Sequence, residues 1–167
     1  MALLPIRIFP DPVLRVECPP VETFDDDLRR LVDDMVETMY DAPGVGLAAP
    51  QVGVEKRLAL VDVSVGREEG KLLVLVNPRI VHQEGSEVDF EGCLSIPRLS
   101  EKVKRPQAVK ITAQNLDGEP FELETEGFEA RAICHELDHL DGVLFIDHLR
   151  GLRRDKVRRQ LRRMAKD

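Results

Sequence analysis

The stretch ICHELDHLDG, residues 133–142, limits what this chain can fold into more than any other segment. Residues four apart on an α-helix share a face, so His135 and His139 direct two imidazoles at one point, while Glu136 reaches the rim of that point. A bare H-x-x-x-H on a helix is by default a surface pair or a satisfied core pair. With glutamate in its required place and an apolar helix around it, a metal site is the stronger reading. The helix that carries it belongs at the centre of the fold.

A catalytic zinc or iron site usually takes three protein ligands and leaves one position open for water, so a third ligand is needed. HELDHLDGVLF follows the pattern H-E-x-x-H-x-x-G-x-x-H until its last position, where Phe145 replaces histidine. A downstream glutamate fails as well, because none follows Glu136. His148 or an aspartate remains downstream; Cys93, His82 and Cys18 remain upstream. Cys93 lies in FEGCLSIP, a glycine-flanked turn between β-like runs, where the backbone can approach another group closely. It is the best-placed thiolate, yet on this short stretch alone a small buried hydrophobe, the usual state of a free cysteine, is favoured.

A length of 167 residues suits one domain with a real core. At 43% hydrophobic and 33% charged, with no apolar run near the roughly 18 residues of a membrane span, the composition is that of a soluble globular chain with no membrane role. The opening MALLPIRIFPDP lacks the basic start and unbroken apolar run of a signal peptide. Cys18, Cys93 and Cys134 are odd in number and unrelated in spacing, which argues against a disulfide framework and for a reducing cytoplasm. The net charge of −7 conceals an asymmetry: residues 150–167 hold nine Lys/Arg against two Asp, a local +7, so residues 1–149 carry −14. A cationic tail on an acidic body suggests an anionic partner for the tail.

Residues 25–40 place Leu28, Leu31, Val32, Met35, Val36 and Met39 at helical spacing, with acids in the first turn where the helix dipole favours them. GVGLAAPQVG then reads as a loop, and RLALVDV near 57–63 and LLVLV at 72–76 read as strands. Residues 107–125 read as a hairpin: Val109, Ile111 and Ala113 alternate on one arm, Phe121 and Leu123 on the other. A second helix is expected from Glu126 to Leu140 and a third, basic one from Leu149 to the end, with Leu149, Leu152, Val157, Leu161 and Met164 along one side. These elements predict an α+β fold: antiparallel sheets packed around a central metal-binding helix, with an N-terminal helix and a C-terminal basic helix. Residues 1–149 would form the catalytic part and 150–167 the basic helix of the same domain.

Three separated segments, Gly44-Val45-Gly46-Leu47-Ala48-Ala49-Pro50-Gln51, Glu91-Gly92-Cys93-Leu94-Ser95 and His135-Glu136-Leu137-Asp138-His139, together resemble the three motifs of bacterial peptide deformylases. The likeness runs over nearly the whole chain and is to the shorter form of the family with a C-terminal helix. It implies a hydrolase that removes the N-formyl group from formylmethionine on nascent polypeptides and releases formate. It also implies Cys93, His135 and His139 as metal ligands, of Fe2+ in the cell and of Zn2+, Ni2+ or Co2+ in preparations. Glutamine commonly precedes the first metal histidine in the family, and here Cys134 stands there; it points another way round the helix and reads as packing.

Glu136, beside the site but outside the ligand set, is the candidate general base. The Gln51 amide and the Leu94 backbone N–H match the family's pair of oxyanion donors. Val45, Gly46 and Gly92 are expected against the substrate main chain, because glycines let a peptide lie against backbone as an added strand. Arg105 is a further candidate contact with the peptide. The resemblance assigns the basic tail to the ribosome. Two other classes compete: a zinc endopeptidase, which lacks its usual third ligand here, and a structural-zinc or RNA-binding protein, which needs four ligands where three are found.

Overall fold

The structure is a computed structural model describing residues 2–166, the side chains of residues 165 and 166 excepted; Asp167, the end of the expected tail, lies outside it. Helix α1 (Asp26–Asp41) begins where the Asp25 carboxylate accepts the Leu28 N–H at 3.0 Å, capping a donor the helix leaves open. Seven strands follow or flank it: β1 (Gly46–Ala48), β2 (Leu58–Val61), β3 (Leu73–Glu84), β4 (Glu87–Cys93), β5 (Ile96–Arg105), β6 (Ala108–Gln114) and β7 (Pro120–Glu126). Five of them form one antiparallel sheet in the order β1-β2-β3-β6-β7, and β4-β5 form a separate hairpin sheet.

The apolar stripe of α1, Leu28, Val32, Met35 and Met39, packs on one face of the larger sheet with Leu58, Leu60 and Val76. Its other face, with Val61, Leu75, Val109, Ile111 and Ala113, receives Ala130, Ala132, Ile133, Cys134 and Leu137 of helix α2 (Gly127–Leu140). Strand β2 is therefore covered on both sides, which is why LALV has no polar position. Ten of the fourteen residues of α2 are buried, Arg131, His135, Glu136 and His139 among them, so the motif helix is central. A third cluster joins Ile96, Leu99 and Val103 of β5 to Leu14 of the N-terminal 3-10 turn (Pro12–Arg15) and to Phe145, Leu149 and Val157 of helix α3 (Gly151–Lys166) and its approach. No helix among the described residues is long and apolar enough to cross a membrane.

The structure departs from the expectation in two places and adds one strand that the sequence reading left unassigned. GVGLAAPQVG holds strand β1 and a 3-10 turn over Ala49–Val52, because three residues suffice once β2 supplies the pairing; its glycines and proline disguise this. Glu87–Cys93, rich in acids, is a strand whose backbone is tied down from α2: Arg131 donates to the Glu87 carbonyl at 2.8 Å and the Val103 carbonyl at 2.8 Å. On α3, Leu152 is 87% exposed, since it sits five positions before Val157 and thus about 140° round the helix from it. Only Leu149, Val157 and Leu161 of the expected stripe pack in the third cluster.

Gly142 follows α2 with φ +74°, and a Cβ there would lie 2.6 Å from the Arg15 carbonyl oxygen. Gly142→Ala should therefore combine a left-handed backbone cost with a clash against main chain and lower unfolding stability by roughly 2–4 kcal/mol, read by urea denaturation.

Candidate metal centre

Cys93 ends β4, and the turn to Ile96 swings its side chain over α2. Its Sγ lies 3.3 Å from His139 Nε2, and the donor atoms of Cys93, His135 and His139 all fall within 4.8 Å of one another. The His135 ring is oriented from behind, its Nδ1 donating to Glu91 Oε1 at 2.9 Å, which leaves Nε2 free to face the thiol. That carboxylate is held in turn by Arg105, through Nε at 2.7 Å and Nη2 at 2.9 Å, and by Arg131 Nη1 at 2.7 Å. Burial alone would raise Glu91, but the hydrogen bonds from Arg105 and His135 outweigh it and hold the carboxyl well below the ordinary range.

The residues fit a divalent metal. Burial acts to lower His135, yet Cys93, the charge of Glu136 and the bond to Glu91 raise it well above its ordinary value, so the spot stabilises positive charge. Burial and the neighbouring His135 keep His139 well below its ordinary value, neutral and with a lone pair to offer. One thiolate with two imidazoles is a donor set for a transition metal rather than for magnesium or calcium.

Glu136 is 4% exposed, and its Oε1 has no hydrogen-bond partner among the described residues. Burial pushes its carboxyl up to about 7. The side chain lies against Gly46, where a Cβ would come within 2.8 Å of Glu136 Cδ. Gln51 Oε1 accepts the Ala48 N–H at 2.9 Å, which turns its amide nitrogen toward Ser95 Oγ at 3.1 Å and Cys93 Sγ at 3.6 Å. A cavity of about 740 Å³ opens over these groups. Val45, Gly46, Gln51, Gly92 and Leu94 line it together with Cys93, His135 and Glu136.

Arg105 is not at the cavity, contrary to the expectation that it contacts peptide. It is 4% exposed behind α2, committed to Glu91 and, through Nη1, to Asp138 at 2.6 Å, because one buried and one half-buried carboxylate there need a cation. Among the alternative ligands, His148 bonds Asp138 at 2.8 Å, the exposed His82 bonds Glu84 at 2.8 Å, and Cys18 is buried near Arg57. Cys134 packs against the sheet, and burial pushes its thiol up to about 11. Sequence reasoning missed Glu91 and Arg131 as the frame of the site; the signal was an acid immediately before Gly92-Cys93 and an arginine one turn before His135.

Three donors, Cys93, His135 and His139, that could hold a cation from one side, with a buried carboxylate beside them and a cavity in front, match the arrangement of hydrolytic metalloenzymes rather than of a closed structural clamp. The wider comparison is specific. Residues 3–155 match the model of the polypeptide deformylase family. The chain is 51% identical to a peptide deformylase of Acidobacterium capsulatum over 99% of its own length and 98% of that protein's. It is 50% identical to one from Rhizobium meliloti over 99% and 96% of the two chains. The crystal structure of a Legionella pneumophila peptide deformylase superposes with a TM-score of 0.91 at 44% identity, covering 99% of this chain and 96% of that one. This chain belongs to the polypeptide deformylase family; it is an enzyme that removes the formyl group from nascent peptides. The endopeptidase and structural-zinc readings find no support in these likenesses.

Two substitutions follow from the geometry. Gly46→Ala should displace the Glu136 carboxylate without touching a ligand and lower kcat on the order of 100-fold at unchanged metal content, read by formate release and metal analysis. Glu91→Gln leaves Arg105 and Arg131 short of a buried counter-charge and should cost roughly 3–5 kcal/mol of stability. Glu91 has a depressed folded pKa, so its contribution is present above the ordinary carboxylate range and lost as pH falls through the folded value; the variant's acid-unfolding limb should be correspondingly shallower.

Proposed function

We propose that deformylation runs on the following groups. Cys93, His135 and His139 hold the metal, Fe2+ in the cell and Zn2+, Ni2+ or Co2+ as substitutes. When bound, it supplies Lewis-acid activation of water and of the formyl carbonyl. Glu136 takes a proton from the attacking water and delivers one to the leaving amine, as its burial beside the ligands and its unpartnered oxygen allow. The Leu94 N–H and the Gln51 amide donate to the oxygen that becomes negative, an interaction worth about 3 kcal/mol per donor. Gln51 suits this task because its carbonyl end is anchored on Ala48. Val45, Gly46 and Gly92 receive the peptide main chain, with the formylmethionine of a nascent chain in the cavity.

The observation that carries this reading is the convergence of Cys93, His135 and His139 beside a buried Glu136 whose Oε1 has no partner among the described residues. Glu136→Gln removes the base and spares the ligands, so metal content should persist while kcat for formyl-Met-Ala-Ser falls about 100- to 10,000-fold. Near wild-type turnover in the metal-loaded variant would remove Glu136 from the mechanism.

The reading also takes the enzyme to be cytoplasmic and residues 150–167 to meet ribosomal RNA. Its support is the charge of α3, whose Arg158, Arg159, Arg162 and Arg163 are exposed. Val157 is 2% exposed in the third core cluster, so deleting the tail would open the core, and charge replacement is the cleaner test. Replacing those four arginines by glutamine should weaken ribosome binding and reduce its salt dependence while leaving the melting temperature within a few degrees. Equal binding by the variant at low salt would leave α3 a structural helix only.

A further inference from the structure

Five charged residues line the catalytic cavity: Glu91, Arg98, Arg131, His135 and Glu136. Four of them are 8% exposed or less and are locked into the frame or the metal centre. Arg98 alone is exposed, and no carboxylate among the described residues pairs with it within ion-pair distance. It sits where the β4–β5 ladder breaks: Gly92 pairs with Ser100 but Cys93 with Ile96, so residues 97–99 form a bulge at the mouth, in which Leu99 is buried in the third core cluster and Arg98 is exposed. Arg98 holds φ +65°, a left-handed conformation that costs any side chain bearing a Cβ and that is retained where the surroundings enforce it. The neighbouring rim is apolar and cationic: Phe90 and Phe128 are 59% and 57% exposed beside the cavity, and Lys102 Nζ lies 5.5 Å over the Phe90 ring.

We infer that Arg98 is a specificity-determining residue, favouring nascent peptides with acidic side chains directly after the formylmethionine. The cavity interior has spent its charges on the metal centre and its frame, so discrimination among the following residues falls to the rim, and the rim's uncommitted charge is positive. The inference rests on this cavity being the formyl-peptide site. The reacting atoms are untouched by it, so it concerns the ratio between substrates and not the chemistry of deformylation.

The test uses the metal-loaded full chain and three C-terminally amidated peptides, formyl-Met-Ser-Ser, formyl-Met-Asp-Asp and formyl-Met-Lys-Lys, with kcat/KM read as formate release. Failure of the wild-type protein on the neutral peptide would strike the assigned reaction itself. If that peptide is turned over, the Asp-to-Lys ratio tests Arg98. An exposed pair is worth about a few-fold, and attraction of one peptide adds to repulsion of the other, so the wild-type ratio should favour the acidic peptide about five-fold or more at low salt and shrink as salt rises. Arg98→Glu should lower the ratio at least about five-fold. Arg98→Gly, which suits the left-handed backbone, should melt no lower than the wild type and give an intermediate ratio. A wild-type ratio near one, or an Arg98→Glu ratio within about two-fold of the wild type's in a folded variant, would overturn the assignment.

Discussion

The carboxylate of Glu91 is the tie on which the active centre depends. It accepts hydrogen bonds from Arg105 on its own hairpin and from Arg131 and His135 on α2, at 2.7–2.9 Å. Burying such a carboxylate costs several kcal/mol, and only a full set of donors offsets it. Those donors come from two elements with little apolar contact between them, so satisfying the charge is what locks the β4–β5 hairpin onto α2. The same bond that docks the hairpin aims the His135 ring, and the docked hairpin delivers Cys93. Fold and metal centre are therefore joined through one residue two positions before the thiolate.

A second tier extends outward. Arg105 bridges Glu91 to Asp138, and Asp138 receives His148 from the turn before α3. On the other side of the cavity, Gly46 supplies no side chain so that Glu136 can lie against the backbone, and Gln51 is turned by Ala48. Each catalytic group is thus set by a neighbour from a different element. Beyond Gly46 and Ala48 of β1, the larger sheet serves mainly as an apolar platform for α2, through Val61, Leu75, Val109, Ile111 and Ala113.

Much of this was legible in the sequence. Periodicity disclosed α1, α2 and the β6–β7 hairpin, because amphipathic faces and a turn leave local marks. Cys93, His135, His139, Glu136 and Gln51 could be named from motif and resemblance, and the structure brings them together. What stayed hidden was held by long-range partners. Strand β1 is three residues long and exists only through pairing with β2. Strand β4 carries no clean alternation, and its placement rests on pairing with β5 and on Arg131 against its backbone. Arg105, in a Lys-rich run, reads as a candidate peptide contact, and nothing local shows that two carboxylates, 14 positions before it and 33 after it, enclose its guanidinium.

The separation between the ligands carries a consequence for how the molecule comes apart. Cys93 stands 46 positions from His139, and the two meet only where the β4–β5 hairpin lies against α2. An ion that needs all three donors finds no such grouping in the unfolded chain, where the thiolate and the imidazoles are far apart. An ion bound there would favour the native state alone and so oppose unfolding. The proposed metal centre would thus also be a clasp on the fold.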